Sequence, residues 1–195
     1  MLSYKKENLV PFFQPIIAAD TFSIYGYESL GRLVFGGKAV SLGPFFTNPE
    51  IPTEELLEVD RVIRAKAIQA FTGVQNGKKL FLNIKPTWIY RFLDCPHKIP
   101  TIQLLRESCI PTEDVIIEIT EDCFTGELSS LAKLLNYYRK QGCRIAVDDF
   151  GSDFSNFERI AYINPDIIKV DIQIVQKSVQ MESYYELLNL ISSFC

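Results

Sequence analysis

The sequence predicts an α/β fold of the (β/α) barrel kind, with an antiparallel opening strand and only the first three quarters of the barrel present. Three observations predict it. Short runs rich in Val, Ile and Leu alternate with stretches of helical periodicity along the 195 residues, the pattern of parallel strands covered by helices. The first two runs follow each other across one short polar break, as an antiparallel hairpin does. Most of the later runs carry a carboxylate, amide or ammonium at or near the C-terminal end, where a strand buried on both faces should be apolar.

Taken in order, Phe12 to Ala18 and Ile24 to Leu33 are the β-type runs around Ala19-Asp20-Thr21. A helix follows over Thr53 to Phe71, with Leu56, Val59, Ile63, Ala67 and Ala70 at i, i+3, i+4 spacing. Pro52-Thr53 gives its start and Gly73 its stop. Leu80 to Ile84 is the next strand, then helical segments around Trp88 to Leu93 and Ile102 to Ser108, and a strand at Val115 to Ile119. Glu127 to Gln141 is a helix with Leu128, Leu131, Leu134, Leu135 and Tyr138 on one face, stopped by Gly142. A strand at Arg144 to Val147, a short helix over Asn156 to Ile163, a strand at Ile167 to Val170 and a helix at Tyr184 to Phe194 complete the chain. Pro and Gly punctuate these segments and never pool into a linker, so residues 1–195 read as one domain.

A composition of 47% hydrophobic and 23% charged residues is that of a globular domain. The net charge of −4 argues against binding to duplex nucleic acid, which draws on clustered Lys and Arg to displace counterions. A small anionic ligand needs only one or two local cations and stays open. No apolar run has the length of a membrane span or signal peptide. The five cysteines lack CxxC spacing and are odd in number, which suits reduced thiols and a cytoplasmic setting. The single histidine, His97, has no partners at zinc-like spacing.

Chemistry should lie where polar residues break the strands. Glu28, Asn83, Glu118, the adjacent Asp148 and Asp149, Lys169 and Asp171 all do so. A buried carboxylate without compensation costs several kcal/mol or takes up a proton, so recurring cases imply a shared partner. Barrel sites form where the C-terminal strand ends converge. Carboxylates plus an amide oxygen, with no sulfur or imidazole, make a hard oxygen set suited to Mg2+ or Mn2+. Adjacent aspartates leave room for a second ion, and paired metals about 4 Å apart activate water against phosphodiesters. The structural alternative is an internal ion-pair cluster in which Glu118 or Asp148 pairs with Arg144 or Lys169. A third reading makes Lys169 a Schiff-base lysine of an aldolase-like barrel, a role that would not need so many acidic neighbours.

At these residues the chain resembles the EAL family of cyclic di-GMP phosphodiesterases. Its Glu-Ala-Leu motif stands here as Glu28-Ser29-Leu30, followed by Arg32. The resemblance is specific because the whole ordered set is present: Phe13-Gln14-Pro15-Ile16, Asn83-Ile84-Lys85-Pro86, Glu118-Ile119-Thr120-Glu121, Asp148-Asp149-Phe150-Gly151 and Lys169-Val170-Asp171. It implies a TIM-barrel-like (β/α) barrel of the EAL type and hydrolysis of cyclic di-GMP to linear pGpG with one or two Mg2+ or Mn2+ ions, Ca2+ being inhibitory. It further implies that Glu28, Asn83, Glu118 and Asp148 ligate one metal, that Asp149 serves a second, and that Lys169 positions the attacking water. Arg32 would bind phosphate, Gln14 and Leu30 would line the nucleotide pocket, and Glu121 would tether the loop after Asp149.

The chain departs from the family pattern in Ser152-Asp153-Phe154-Ser155-Asn156, where Asp153 replaces a glycine, and in lacking the later Glu-Gly-Val-Glu and Gln-Gly motifs. A full barrel runs to about 250 residues, so the last strands are expected to be missing and the open edge beside Ile167 to Val170 invites a homodimer. These departures keep open a non-catalytic cyclic di-GMP-binding or dimerisation module.

Overall fold

The computed structural model describes residues 5–18, 20–73, 77–120, 127–151 and 157–194. In chain order the elements are β1 (Leu9–Ile17), β2 (Ile24–Phe35), β3 (Lys38–Ser41), α1 (Gly43–Phe46), α2 (Thr53–Phe71), β4 (Lys79–Asn83), α3 (Pro86–Ile89), α4 (Pro100–Glu107), β5 (Val115–Thr120), α5 (Leu128–Lys140), β6 (Arg144–Phe150), α6 (Phe157–Ile163), β7 (Ile167–Val170), α7 (Ile172–Ser178) and α8 (Glu182–Phe194). They fall into two compact units, residues 1–83 with 97–115, and residues 84–96 with 116–195. No helix among the described residues is long and apolar enough to cross a membrane.

In the first unit β2 is central. β1 runs antiparallel to it, so that Gln14 faces Glu28, Phe12 faces Leu30 and Val10 faces Arg32. Gly36 and Gly37, at φ 55° and 76°, turn β2 back into β3 with the left-handed angles that glycine adopts without steric penalty. β4 lies parallel to β2, with Gly26 beside Lys79 and Glu28 beside Phe81. The strands meet closely at Gly26, where an added Cβ would stand 2.4 Å from the Lys79 carbonyl oxygen. The periodic face of α2 buries Val59, Ile63 and Ala67. A cluster of Leu9, Leu42, Phe45, Val59 and Ile63 forms there, each large side chain contributing about 1.5–3 kcal/mol of burial. Phe71 closes the far end of α2 with its ring 6.2 Å from that of Phe13 and 6.5 Å from that of Tyr27.

In the second unit β5, β6 and β7 are parallel. Ile116 to Ile119 and Ile145 to Val147 are buried, Glu118 among them, as two-sided covering requires. Helix α5 contributes Leu131, Leu134, Leu135 and Tyr138 to this core. It stops at Gly142, whose φ of 101° lets its N–H donate to the Arg139 carbonyl at 2.8 Å while Cys143 N–H returns to that of Tyr138 at 3.2 Å. Between β6 and β7 the register passes from Val147 beside Ile168 to Phe150 beside Val170, so β6 carries one extra residue there. Asp149 takes up the irregularity at φ 54°, the signature of a β-bulge.

Sequence periodicity locates the long elements and misses some short ones. β6 runs on to Phe150, past the expected end at Val147, because the backbone keeps pairing after the apolar run stops at the aspartates. Helix α4 starts at Pro100, two residues before the expected Ile102, since proline is well suited to the first helical turn. Strand β3 and helices α1 and α7 are additions to the expected elements: four to seven residues are too few for a hydrophobic period to be read. Asp171, which the sequence groups with the acidic strand ends, caps α7 instead, its Oδ1 accepting the Gln173 N–H at 2.7 Å.

Candidate functional site

The site residues of the first unit are set by strand register. Residues facing across paired strands share a face, as do alternate residues along one strand. Gln14, Glu28, Leu30 and Arg32 therefore lie on one face of the β1–β2 ribbon. Asn83, two residues beyond Phe81, comes to that face from β4. The contact follows from the geometry: Asn83 Nδ2 donates to Glu28 Oε1 at 2.8 Å. An amide that gives its N–H to a carboxylate turns its oxygen the other way, available as a ligand.

Two neighbours of this group do not stand out in the sequence. Phe12 sits across from Leu30, 45% exposed, with the Arg32 guanidinium 6.0 Å from its ring centroid. Its alternation with Gln14 along β1 is the available signal. The other is Arg64 on α2, only 7% exposed. It forms an i,i+4 ion pair with Asp60 and donates to Thr101 Oγ1 at 2.6 Å. The Asp60–Arg64 spacing is legible; the burial of Arg64 is not.

In the second unit three strands deliver three charged groups. Glu118 on β5 is fully buried. Asp148 on β6 has a carboxylate oxygen within 4.8 Å of one on Glu118, and Lys169 on β7 bridges them, its Nζ 2.6 Å from Glu118 Oε1 and 2.9 Å from Asp148 Oδ1. Adjacent parallel strands whose polar residues fall near one level produce this convergence, and the extra residue in β6 lies opposite Lys169. The ion-pair reading with Lys169 is thus realised, while Arg144 is exposed at the other end of β6. Like charges this close favour a cation between them, and a set made of oxygen atoms alone fits a hard divalent ion. Asp149, the next residue along β6, is exposed and takes a left-handed backbone at φ 54°. Glu121 and the loop 152–156 lie outside the described residues.

The EAL domain family matches residues 2–195 of the chain. An uncharacterised EAL-domain containing protein of Bacillus subtilis (strain 168), YkuI, is 36% identical over 189 residues, 95% of this chain and 46% of the relative. A probable cyclic di-GMP phosphodiesterase of Escherichia coli (strain K12), PdeI, is 30% identical over 170 residues, covering 83% of this chain and 21% of that protein. The crystal structure of B. subtilis YkuI, with an EAL domain, in complex with substrate c-di-GMP and calcium, superposes with a TM-score of 0.83 at 34% identity, over 97% of this chain and 47% of that one. The chain therefore spans less than half the length of these relatives, and its fold is the TIM-barrel-like α/β architecture of the EAL type, with the antiparallel β1–β2 start.

Proposed function

The chain belongs to the EAL domain family, and on that premise we propose that residues 1–195 act as one domain that hydrolyses cyclic di-GMP to linear pGpG with Mg2+ or Mn2+. The observation that carries this reading is the Glu118–Lys169–Asp148 cluster, two carboxylates within 4.8 Å that hold a cation between them. Glu28, Asn83, Glu118 and Asp148 would ligate one ion, and Asp149 a second. Bound metal supplies positive charge to the phosphoryl oxygens and lowers the pKa of water.

The chain's own residues account for the remainder. Arg32, with a fixed charge and planar donors, suits a phosphate; Gln14 and Leu30 share its face and would line the nucleotide pocket. Lys169, fixed between carboxylates, would orient the attacking water, and Glu121 would tether the loop after Asp149. A homodimer is part of the proposal, and size-exclusion chromatography tests it. The reduced cysteine set supports a cytoplasmic setting.

Incubation with cyclic di-GMP and Mn2+ or Mg2+, followed by chromatography, should yield pGpG, and Glu28→Gln should abolish it. Ca2+ should support binding while suppressing turnover. A second reading, binding without hydrolysis, draws on the altered residues 152–156. Calorimetric heat with Ca2+ and cyclic di-GMP but no pGpG under Mn2+ or Mg2+ would favour it, and absence of both signals would end both readings.

A further inference from the structure

A charged side chain on the packed side of an amphipathic helix is expensive unless its partners are well placed. Arg64 occupies such a position on α2, next to Ile63 of the core cluster, where an apolar residue would continue the packing. Its guanidinium reaches three elements at once: Asp60 one turn back on α2, the fully buried Thr101 Oγ1 on α4 at 2.6 Å, and the Asn83 carbonyl at the last residue of β4 at 3.5 Å. Around it lies a recess of about 70 Å³ whose lining includes Ser29, Asp60, Arg64 and Asn83. Only a planar fork with several donors can serve Asp60, Thr101 and a main-chain carbonyl together.

From this geometry we infer that Arg64 is a positioning residue for Asn83. Held at the end of β4, the Asn83 backbone presents the amide so that Nδ2 meets Glu28 Oε1 at 2.8 Å, which leaves Oδ1 for the ion proposed above. This rests on the ligand set proposed above. Groups that orient metal ligands typically change metal affinity by about 10–100-fold when removed. Asp60 and Thr101 fix the guanidinium, so Arg64 acts on the ion through Asn83.

The test uses the full chain and Mn2+ alone. Arg64→Lys keeps the charge and loses the fork; its Mn2+ dissociation constant, measured by calorimetry or electron paramagnetic resonance, should rise about 10-fold, and the Asn83 side-chain amide resonances should shift. Thr101→Val frees one arm of the fork and should raise the constant by a smaller factor, a comparison that holds even where Arg64→Lys fails to fold. Wild-type Mn2+ affinity and unmoved Asn83 resonances in folded Arg64→Lys would overturn the inference and leave the proposed function standing. Absence of Mn2+ binding by the wild-type chain would overturn both.

Discussion

Replacing Lys169 by methionine keeps the unbranched stem, one atom shorter, and removes the ammonium that Glu118 and Asp148 share. With their oxygens no more than 4.8 Å apart, two full negative charges repel by at least about 3.5 kcal/mol at an effective dielectric of 20. That agrees with the about 3–5 kcal/mol found when one partner of a buried pair is removed. Lys169 is 22% exposed while Glu118 is fully buried, so the lower end applies. For a chain of this length each kcal/mol shifts the melting temperature by about 2–4 °C, which puts the Lys169→Met loss near 7–14 °C in EDTA. Thermal melts monitored by circular dichroism read it. Mn2+ should restore more stability to the variant than to the wild type, because the metal meets a carboxylate pair freed of its ammonium; at 100 times its dissociation constant a ligand adds about 2.7 kcal/mol. Adding Glu118→Gln to Lys169→Met should recover part of the loss in EDTA by removing one of the repelling charges. A variant that melts with the wild type in EDTA, or that gains no more from Mn2+ than the wild type does, would refute the electrostatic account.

Gly26→Ala should lower stability by about 1–3 kcal/mol, since the new Cβ would meet the Lys79 carbonyl oxygen at 2.4 Å; Gly73→Ala, with its nearest atom at 3.8 Å, serves as the near-neutral control in urea melts. Asp149→Gly should be about 1 kcal/mol more stable than Asp149→Ala, because φ 54° suits glycine and strains alanine, as urea midpoints would report. Burial pushes the Cys143 thiol from its ordinary value of 9.0 up to about 12, so maleimide at pH 8 should spare Cys143 while labelling the exposed Cys109, as mapped by mass spectrometry. The unfolded thiol ionises near 9.0 and the folded one near 12, so this contribution is present below pH 9 and lost as pH rises toward 12; Cys143→Ala should lack that component of the alkaline fall in stability.

The long helices α2 and α5, the buried strands β4 and β5 and the half-buried β7 are readable because burial imposes period and composition on the sequence. Glu28, Asn83, Glu118, Asp148 and Lys169 stand out for the converse reason: each is a polar residue in an apolar run, and a buried charge has to be explained by a partner. Arg64 breaks no such run, being one of several charged residues on α2, and only its three-way contact shows its burial. The bulge at Asp148–Asp149 is equally silent, since it arises from register between strands that are distant in sequence. Asp171 shows the reverse error, a carboxylate at a strand end that belongs to the helix after it.

That single surplus residue in β6 also controls side-chain parity. Val147 and Phe150 pair with Ile168 and Val170, alternate residues of β7, so they share a side although three positions apart, a spacing an unbroken pleat would send to opposite sides. Deleting Asp149 would therefore leave β6 smoothly paired yet invert the strand beyond the deletion, turning Phe150 outward or dragging Asp148 inward, so sequences of this fold should tolerate exchange at position 149 far more readily than loss of it.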